Sequence, residues 1–388
     1  MAQKIVQEGK YAQDGVNIDV GDALSREAAK MCRSTYDVSP FVEVQDFSQG
    51  NFRGPRGYRL KNLPKGCWET GSADGTGTKT MLFAAGGSLI SSSSGLIAMT
   101  AMDITRYGGL PIGLFNILDV SSLGNDLQSE SYLMFKDAIE GLGRLALAHQ
   151  YVVFDGEIAE LGVGVGSDNP NAKAKFNWGG VMMGVYHAEK MILGNTLKPG
   201  QVIIVFKDCF RDNGISSARK AIFMKYGTNW FDNPDAFLDI QACATPSAQY
   251  DRMFNYAHGW FNGPSFMPLV PIHLIVHLSG GAFKSKLGED MLAPQGLSAV
   301  LPDLFEPPEI MQKCKDWRGM SDAEAYTTWN GGQGALSVVD EEYVDLMLQF
   351  AQGYGVEAKV AGTIEKEKKN GSRVAIKSKF PGGGWVYY

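Results

Sequence analysis

The sequence predicts a mixed chain of helices and strands, α/β or α+β, in two domains spanning residues 1–174 and 175–388. Three observations carry this. Short apolar runs of strand length alternate with stretches of helical spacing in both halves. The chain has 388 residues, the length of two ordinary domains. Its 47 glycines imply many tight turns and close backbone approaches.

The elements follow in order. Residues 1 to 60 are polar, with a helix predicted near Gly21 to Ser34 and Asp22 as its N-cap. Met81 to Ala84 and Ile112 to Val120 read as apolar strands on either side of a helix near Leu96 to Tyr107. Leu133, Phe135, Ile139, Leu142, Leu145 and Leu147 give Tyr132 to Gln150 helical spacing, and Tyr151 to Phe154 reads as a buried strand. A turn-rich segment, Gly162 to Asn171, precedes the domain boundary. Beyond it, strands are predicted at Val181 to His187, Val202 to Phe206 and Ile272 to His277, and helices at Ile215 to Tyr226 and Glu341 to Gly353. Val356 to Glu365 and Val374 to Lys379 are expected to form a hairpin across Asn370-Gly371. Trp230, Phe231, Tyr250, Phe254, Tyr256, Trp260 and Phe261 crowd residues 228–263, a density expected of core or a subunit interface.

Composition bounds the function. With 44% hydrophobic and 20% charged residues the chain reads as soluble and globular, and a net charge of −6 gives no nucleic-acid footprint. Five scattered cysteines without a CxxC pair argue against zinc or dithiol chemistry, and the five histidines form no HExxH pattern. Met1 to Lys10 lacks the apolar core of a signal peptide, and Met81 to Ala101 is too interrupted to span a membrane. The expectation is a cytoplasmic protein with reduced thiols.

The chemistry-bearing stretch is Asp74-Gly75-Thr76-Gly77-Thr78-Lys79. A carboxylate suits Mg²⁺, glycines admit backbone N–H groups to phosphate, hydroxyls add donors, and lysine is a compact charge. Asp103, read at a helix start, and Asp119, at a strand end, are candidates to join Asp74 on a metal. Asp155-Gly156-Glu157 and Glu160 follow the next strand, and Asp212-Asn213-Gly214-Ile215-Ser216 and His277-Leu278-Ser279-Gly280-Gly281 follow two more. Taken singly, most of these segments also read as solvated turns, caps or a satisfied core histidine.

Taken in order, they resemble the aminoimidazole ribonucleotide synthetase (phosphoribosylformylglycinamidine cyclo-ligase) family of the PurM-like ATP-binding enzymes. The resemblance runs from Tyr11 to about Glu365 through Gly15-Val16, Ile18-Asp19, Asp74 to Lys79, Asp103, Asp119, Gly156-Glu157 with Ala159-Glu160, Asn213-Gly214, His277 with Gly280-Gly281, Trp329-Asn330-Gly331 and Gly334. It implies an N-terminal domain that forms a β-barrel across a homodimer and a C-terminal α/β domain that completes the active site. It implies ATP and Mg²⁺, with formylglycinamidine ribonucleotide as substrate. Its carbonyl oxygen attacks the γ-phosphate, and the neighbouring amine then closes the imidazole ring and expels phosphate. Carried over, Asp74, Asp103 and Asp119 would hold metal. Asp74 to Lys79 with Gly156 and Glu157 would hold nucleotide. Lys79, His277 and Asn213 would be catalytic, and Asn213, Gly214, Ser216, Ser279 and Gly280 would face substrate. Alternatives are a small-molecule kinase or selenophosphate synthetase of the same superfamily, or a non-catalytic nucleotide binder; Cys32, on a predicted helix, is poorly placed for a reactive thiol. Three departures stand out: Ala12 where the family has Lys, Ile158 and Leu161-Gly162 where it has Thr and Met-Pro, and Asp208 to Gly214 where it has Ser-Ser-Gly-x-His-Ser-Asn-Gly, which sets Arg211 in place of the histidine.

Overall fold

The computed structural model describes residues 17–212, 214–263, 266–366 and 371–388. The motif around Tyr11, Ala12, Gly15 and Val16, the candidate Asn213, and Asn370 of the expected hairpin turn lie outside them. The chain forms two compact units. One takes the described part of Met1–Leu63 with Glu69–Thr100 and Pro111–Val185; the other takes Pro64–Trp68, Ala101–Leu110 and Tyr186–Tyr388.

The first unit opens with helix α1 (Ile18–Ser34), which buries Val20, Leu24, Ala29 and Cys32. Its cap is Asn17, which accepts a hydrogen bond from Val20 N at 3.3 Å. Asp22, the expected cap, lies inside the helix and pairs with Arg26 at 3.6 Å and with Arg53. The helix starts earlier because an Asx side chain one residue before Ile18 already satisfies the first turn. Strands β1 (Val42–Asp46) and β2 (Arg56–Leu60) form an antiparallel ribbon. A four-stranded sheet follows, in the order β3 (Cys67–Gly75), β6 (Phe176–His187), β4 (Leu110–Val120), β5 (Val152–Glu160).

Between β3 and β4 run α2 (Lys79–Ala85) and α3 (Ser93–Thr105). The strand expected at Met81 to Ala84 is therefore helical: a four-residue apolar run fits either state, and Met, Leu and Ala favour helix. Asp103 stands near the end of α3, not at its start. Helix α4 (Glu130–Ala148) crosses from β4 to the parallel β5, burying Phe135, Ile139 and Leu142. Leu133 and Leu147, expected on that face, are exposed.

The second unit is built on a seven-stranded sheet. Its order is β13 (Trp385–Tyr387), β12 (Val374–Lys377), β9 (Leu297–Leu301), β11 (Ala358–Lys366), β7 (Val202–Lys207), β10 (Gln333–Val339), β8 (Ile272–His277). The expected hairpin of β11 with β12 does not form. Strand β9 lies between them, antiparallel to β11 and parallel to β12, because four of its five residues are buried and need partners on both edges. Helices α5 (Ile215–Tyr226), α6 (Phe237–Cys243), α7 (Asp251–Ala257), α8 (Glu309–Arg318), α9 (Asp322–Thr328) and α10 (Val344–Gly353) complete the unit.

The aromatic segment 228–263 is core. Trp230, Tyr250, Phe254 and Trp260 are buried, and the rings of Tyr250 and Phe254 lie 5.9 and 5.1 Å from Phe206 on β7. Cys243 and Cys314 are buried as free thiols 4.0 Å apart.

His258, in the same segment, donates from Nε2 to the Lys190 carbonyl at 2.7 Å. Burial pulls its pKa from 6.5 down to about 4. The unfolded chain therefore takes up the proton first, and stability falls as pH drops through that window. The expected loss between pH 6.5 and 4 is about 3 kcal/mol. Urea unfolding at both pH values checks it: His258→Gln should show that much less pH dependence than the parent.

Candidate functional site

The pairing of β4 with β5 builds the candidate site. Gly113 and Leu114 sit opposite Val152 and Val153, but Phe115 sits opposite Asp155. The extra residue, Phe154, is a bulge, and it changes which side chains of β5 share a face with β4. Past the bulge Ile117 is opposite Glu157 and Asp119 opposite Ala159. Phe115, Ile117, Asp119, Asp155 and Glu157 thus line one side. With Asp74 and Gly75 from β3 and Asn177 and Val181 from β6 they enclose a cleft of about 760 Å³.

Close strand approach maintains this wall. Asn116, buried on the opposite face, accepts from Trp178 Nε1 at 3.0 Å and reaches the Asp155 carbonyl at 3.4 Å. A Cβ on Gly156 would stand 2.7 Å from Asn116 Nδ2, and one on Gly75 would stand 3.0 Å from the Trp178 carbonyl. A side chain at either position would therefore press on the adjoining strand, and both glycines also line the cleft.

Of the residues expected at the nucleotide, Asp74, Gly75, Gly156 and Glu157 come together here. Thr76 does not: it is fully buried, and its N–H is taken by the Trp178 carbonyl at 3.0 Å. Lys79, expected at the triphosphate, is also fully buried, with Nζ 5.9 Å from the Phe83 ring centre. Gly77 and Thr78 form the turn into α2 and do not line the cleft. Glu160 has a structural task, accepting from the backbone N–H groups of Asn17 at 3.0 Å and Leu123 at 2.8 Å.

Asp74 and Asp119 share the cleft, and Asn177 Nδ2 reaches Asp119 Oδ2 at 3.4 Å. Asp103 belongs to the other unit, where it pairs with Arg106 at 3.6 Å. Among the described residues no three His, Cys, Asp or Glu side chains are grouped to hold a metal, so the expected trio is not assembled as a cage. The donor set in the cleft is nevertheless of hard carboxylate and amide oxygens, which suits Mg²⁺ carried by a phosphate ligand.

Sequence reasoning missed Asn116 and Asn177, although a lone Asn in an apolar strand run is a readable signal of a required hydrogen bond. It also missed Arg56. This side chain is 9% exposed and stands 3.6 Å from Asp155, in a second cavity of about 690 Å³ beside α1 with a mixed polar and apolar lining.

In the second unit, of the expected substrate residues, Gly214 and Ser216 follow β7, and Ser279 and Gly280 follow β8. His277 is buried, and its Nε2 lies 3.1 and 2.6 Å from Nε and Nη2 of Arg211. Burial first, then the Arg211 guanidinium, then Lys286 and Arg106, hold its pKa well below the ordinary histidine value. Ser279 is buried and bonded to Lys286 Nζ, whereas Gly280 and Ser216 are exposed. Gly214, at φ 84°, caps α5 and leaves room for the Thr328 carbonyl. Cys32 is unsuited to chemistry: burial, then Asp155, raises its pKa to about 12.

No protein-family model matches the chain. A phosphoribosylformylglycinamidine cyclo-ligase of Carboxydothermus hydrogenoformans is 25% identical over 92% of this chain and 97% of its own length. One of Clostridium perfringens is 26% identical over 95% of this chain and 99% of its own length. The chain is similar to cyclo-ligases of this name over more than nine-tenths of its length. Among solved structures, hydrogenase maturation protein HypE in complex with ATP superposes with a TM-score of 0.54 at 13% identity, covering 85% of this chain and 86% of that one. The likeness establishes a shared mixed α/β fold.

Asn116→Leu should leave the Trp178 N–H buried without an acceptor and cost about 1–3 kcal/mol. Chemical denaturation of the variant measures this; an unchanged midpoint would remove Asn116 from the support of the cleft.

Proposed function

We propose that the chain is an ATP-dependent cyclo-ligase that converts formylglycinamidine ribonucleotide to aminoimidazole ribonucleotide in purine biosynthesis. One observation carries the reading: Asp74, Asp119 and Glu157 converge on one cleft in a chain that aligns nearly end to end with proteins of that name. In the proposed reaction the amide oxygen takes the γ-phosphoryl group of ATP and ADP leaves. The neighbouring amine attacks the activated carbon, and that oxygen departs with inorganic phosphate. Such chemistry needs positioning and charge neutralisation more than covalent help from the protein.

Asp74 and Asp119 would hold Mg²⁺ jointly with the phosphates, the ion supplying charge neutralisation at the transferring group. Asn177 orients Asp119 by its hydrogen bond. Phe115, Ile117 and Val181 supply an apolar wall that keeps water from one side of a bound ligand. Ile117 and Val181 are exposed in the single chain, which suits a homodimer formed through this sheet. Among the described residues no helix is long and apolar enough to cross a membrane.

The test is a turnover assay with formylglycinamidine ribonucleotide, ATP and Mg²⁺. One ADP per imidazole ring closed is expected, with loss of turnover on chelation. A phosphorylated but unclosed product would make the chain a small-molecule kinase, and no ADP would make it a binder. Asp74→Asn and Asp119→Asn should each lower kcat about 10²-fold or more. Each should shift Tm by no more than ~2 °C, since both side chains border the open cleft.

A further inference from the structure

Arg211, which stands where the cyclo-ligase pattern has histidine, meets the aromatic segment 228–263 in one place. The Arg211 side chain is 1% exposed and its Asp208 partner 3%. Nη1 donates to Asp208 Oδ2 and to the Ala248 carbonyl, both at 2.7 Å. The ring of Tyr250 lies beneath the guanidinium at 5.4 Å. Ala248 and Tyr250 both belong to the aromatic segment. The same segment holds the neighbouring carboxylates: Ala248 N–H donates to both oxygens of Asp208 at 3.2 and 3.3 Å, and Ser247 Oγ donates to Asp212 Oδ1 at 2.8 Å. Tyr250 in turn donates to the Lys207 carbonyl at 2.8 Å. A side chain on Gly334 would run into both Tyr250 Oη and Asp208, so the glycine there is required by this assembly.

The Nε–Nη2 edge of the guanidinium meets His277. Arginine has five donors and no acceptor, and two of its nitrogens lie within hydrogen-bond reach of His277 Nε2. That nitrogen must therefore accept, which leaves the imidazole proton on Nδ1. The other cations near His277 are Lys286, whose Nζ is 3.4 Å from the His277 carbonyl, and Arg106.

We propose that segment 228–263 and Arg211 form one accessory unit, in which the segment seats the guanidinium and the guanidinium holds His277 with Nε2 as acceptor and the proton on Nδ1. Arg211 is then a positioning residue on the substrate side, standing where the resemblance leads one to expect a titrating imidazole. Its catalytic meaning rests on the cyclo-ligase reading; the tautomer does not. In this chain His277 orients and accepts, and it does not exchange protons with substrate.

The experiment is long-range ¹⁵N–¹H spectroscopy of the full chain labelled at histidine, over about pH 5.5 to 8, with His277→Gln assigning the signal. The parent should show a protonated Nδ1, a bare Nε2 and no titration. Arg211→Met should release His277 into tautomer exchange or titration, and its kcat should gain a limb of roughly tenfold per pH unit that the parent lacks. Tyr250→Leu should produce the same spectral change. If Arg211→Met does not fold, Arg211→Lys is read in its place, since one ammonium cannot hold Asp208, Ala248 and His277 together. A parent His277 that carries its proton on Nε2 or titrates overturns the proposal. So do unchanged His277 signals in the arginine variant, and unchanged signals in Tyr250→Leu detach segment 228–263 from the unit. A chain that closes no imidazole ring yet shows the fixed tautomer removes the proposed activity alone.

Discussion

The register between β4 and β5 is the constraint on which the cleft depends. In a strand, side chains alternate faces, so one inserted residue exchanges every later side chain between core and cleft. Phe154 is that residue. Without it, Asp155 and Glu157 would turn toward the layer that holds Leu114, Asn116 and Leu118, which are buried. Charges there would lack partners and solvent, a cost far above that of a bulge. Asn116 then locks the arrangement from the buried side, tying Trp178 on β6 to the Asp155 carbonyl on β5.

The second unit solves a different electrostatic problem. A guanidinium and a carboxylate are both taken almost wholly out of water at the end of β7. Burial of that kind is tolerable only with good geometry and with the remaining donors satisfied. Asp208, the Ala248 carbonyl, the Tyr250 ring and His277 supply those partners. Tyr250 and Phe254 against Phe206 add close-packed aromatic surface beside the buried pair.

Several residues singled out by type also meet, or meet instead, demands that the fold itself sets. Gly75 and Gly156 were read as phosphate contacts, and close strand packing also leaves little room for a side chain at either. Thr76 and Lys79 carry the chemistry of a phosphate loop, yet both point into the interior. Residue type reports what a side chain can do; only its direction from the backbone decides whether a ligand meets it.

Local pattern determined much of the framework. The helix over Ile215–Tyr226 and the strand over Ile272–His277 lie where periodicity places them, since helical spacing and a short β-branched run each have one low-energy local answer. The order of acidic and glycine-bearing turns was equally legible, and Asp74, Asp119 and Glu157 do share a cleft. Tertiary structure decided the rest. The four residues of Met81 to Ala84 fit either state until packing chose helix. The strand between β11 and β12, Leu297–Leu301, comes from far upstream of both, which no local turn signal reveals. Arg211 and Tyr250 meet for the same reason: contacts between distant segments are set by the burial they achieve together, and that quantity has no local signature in a chain.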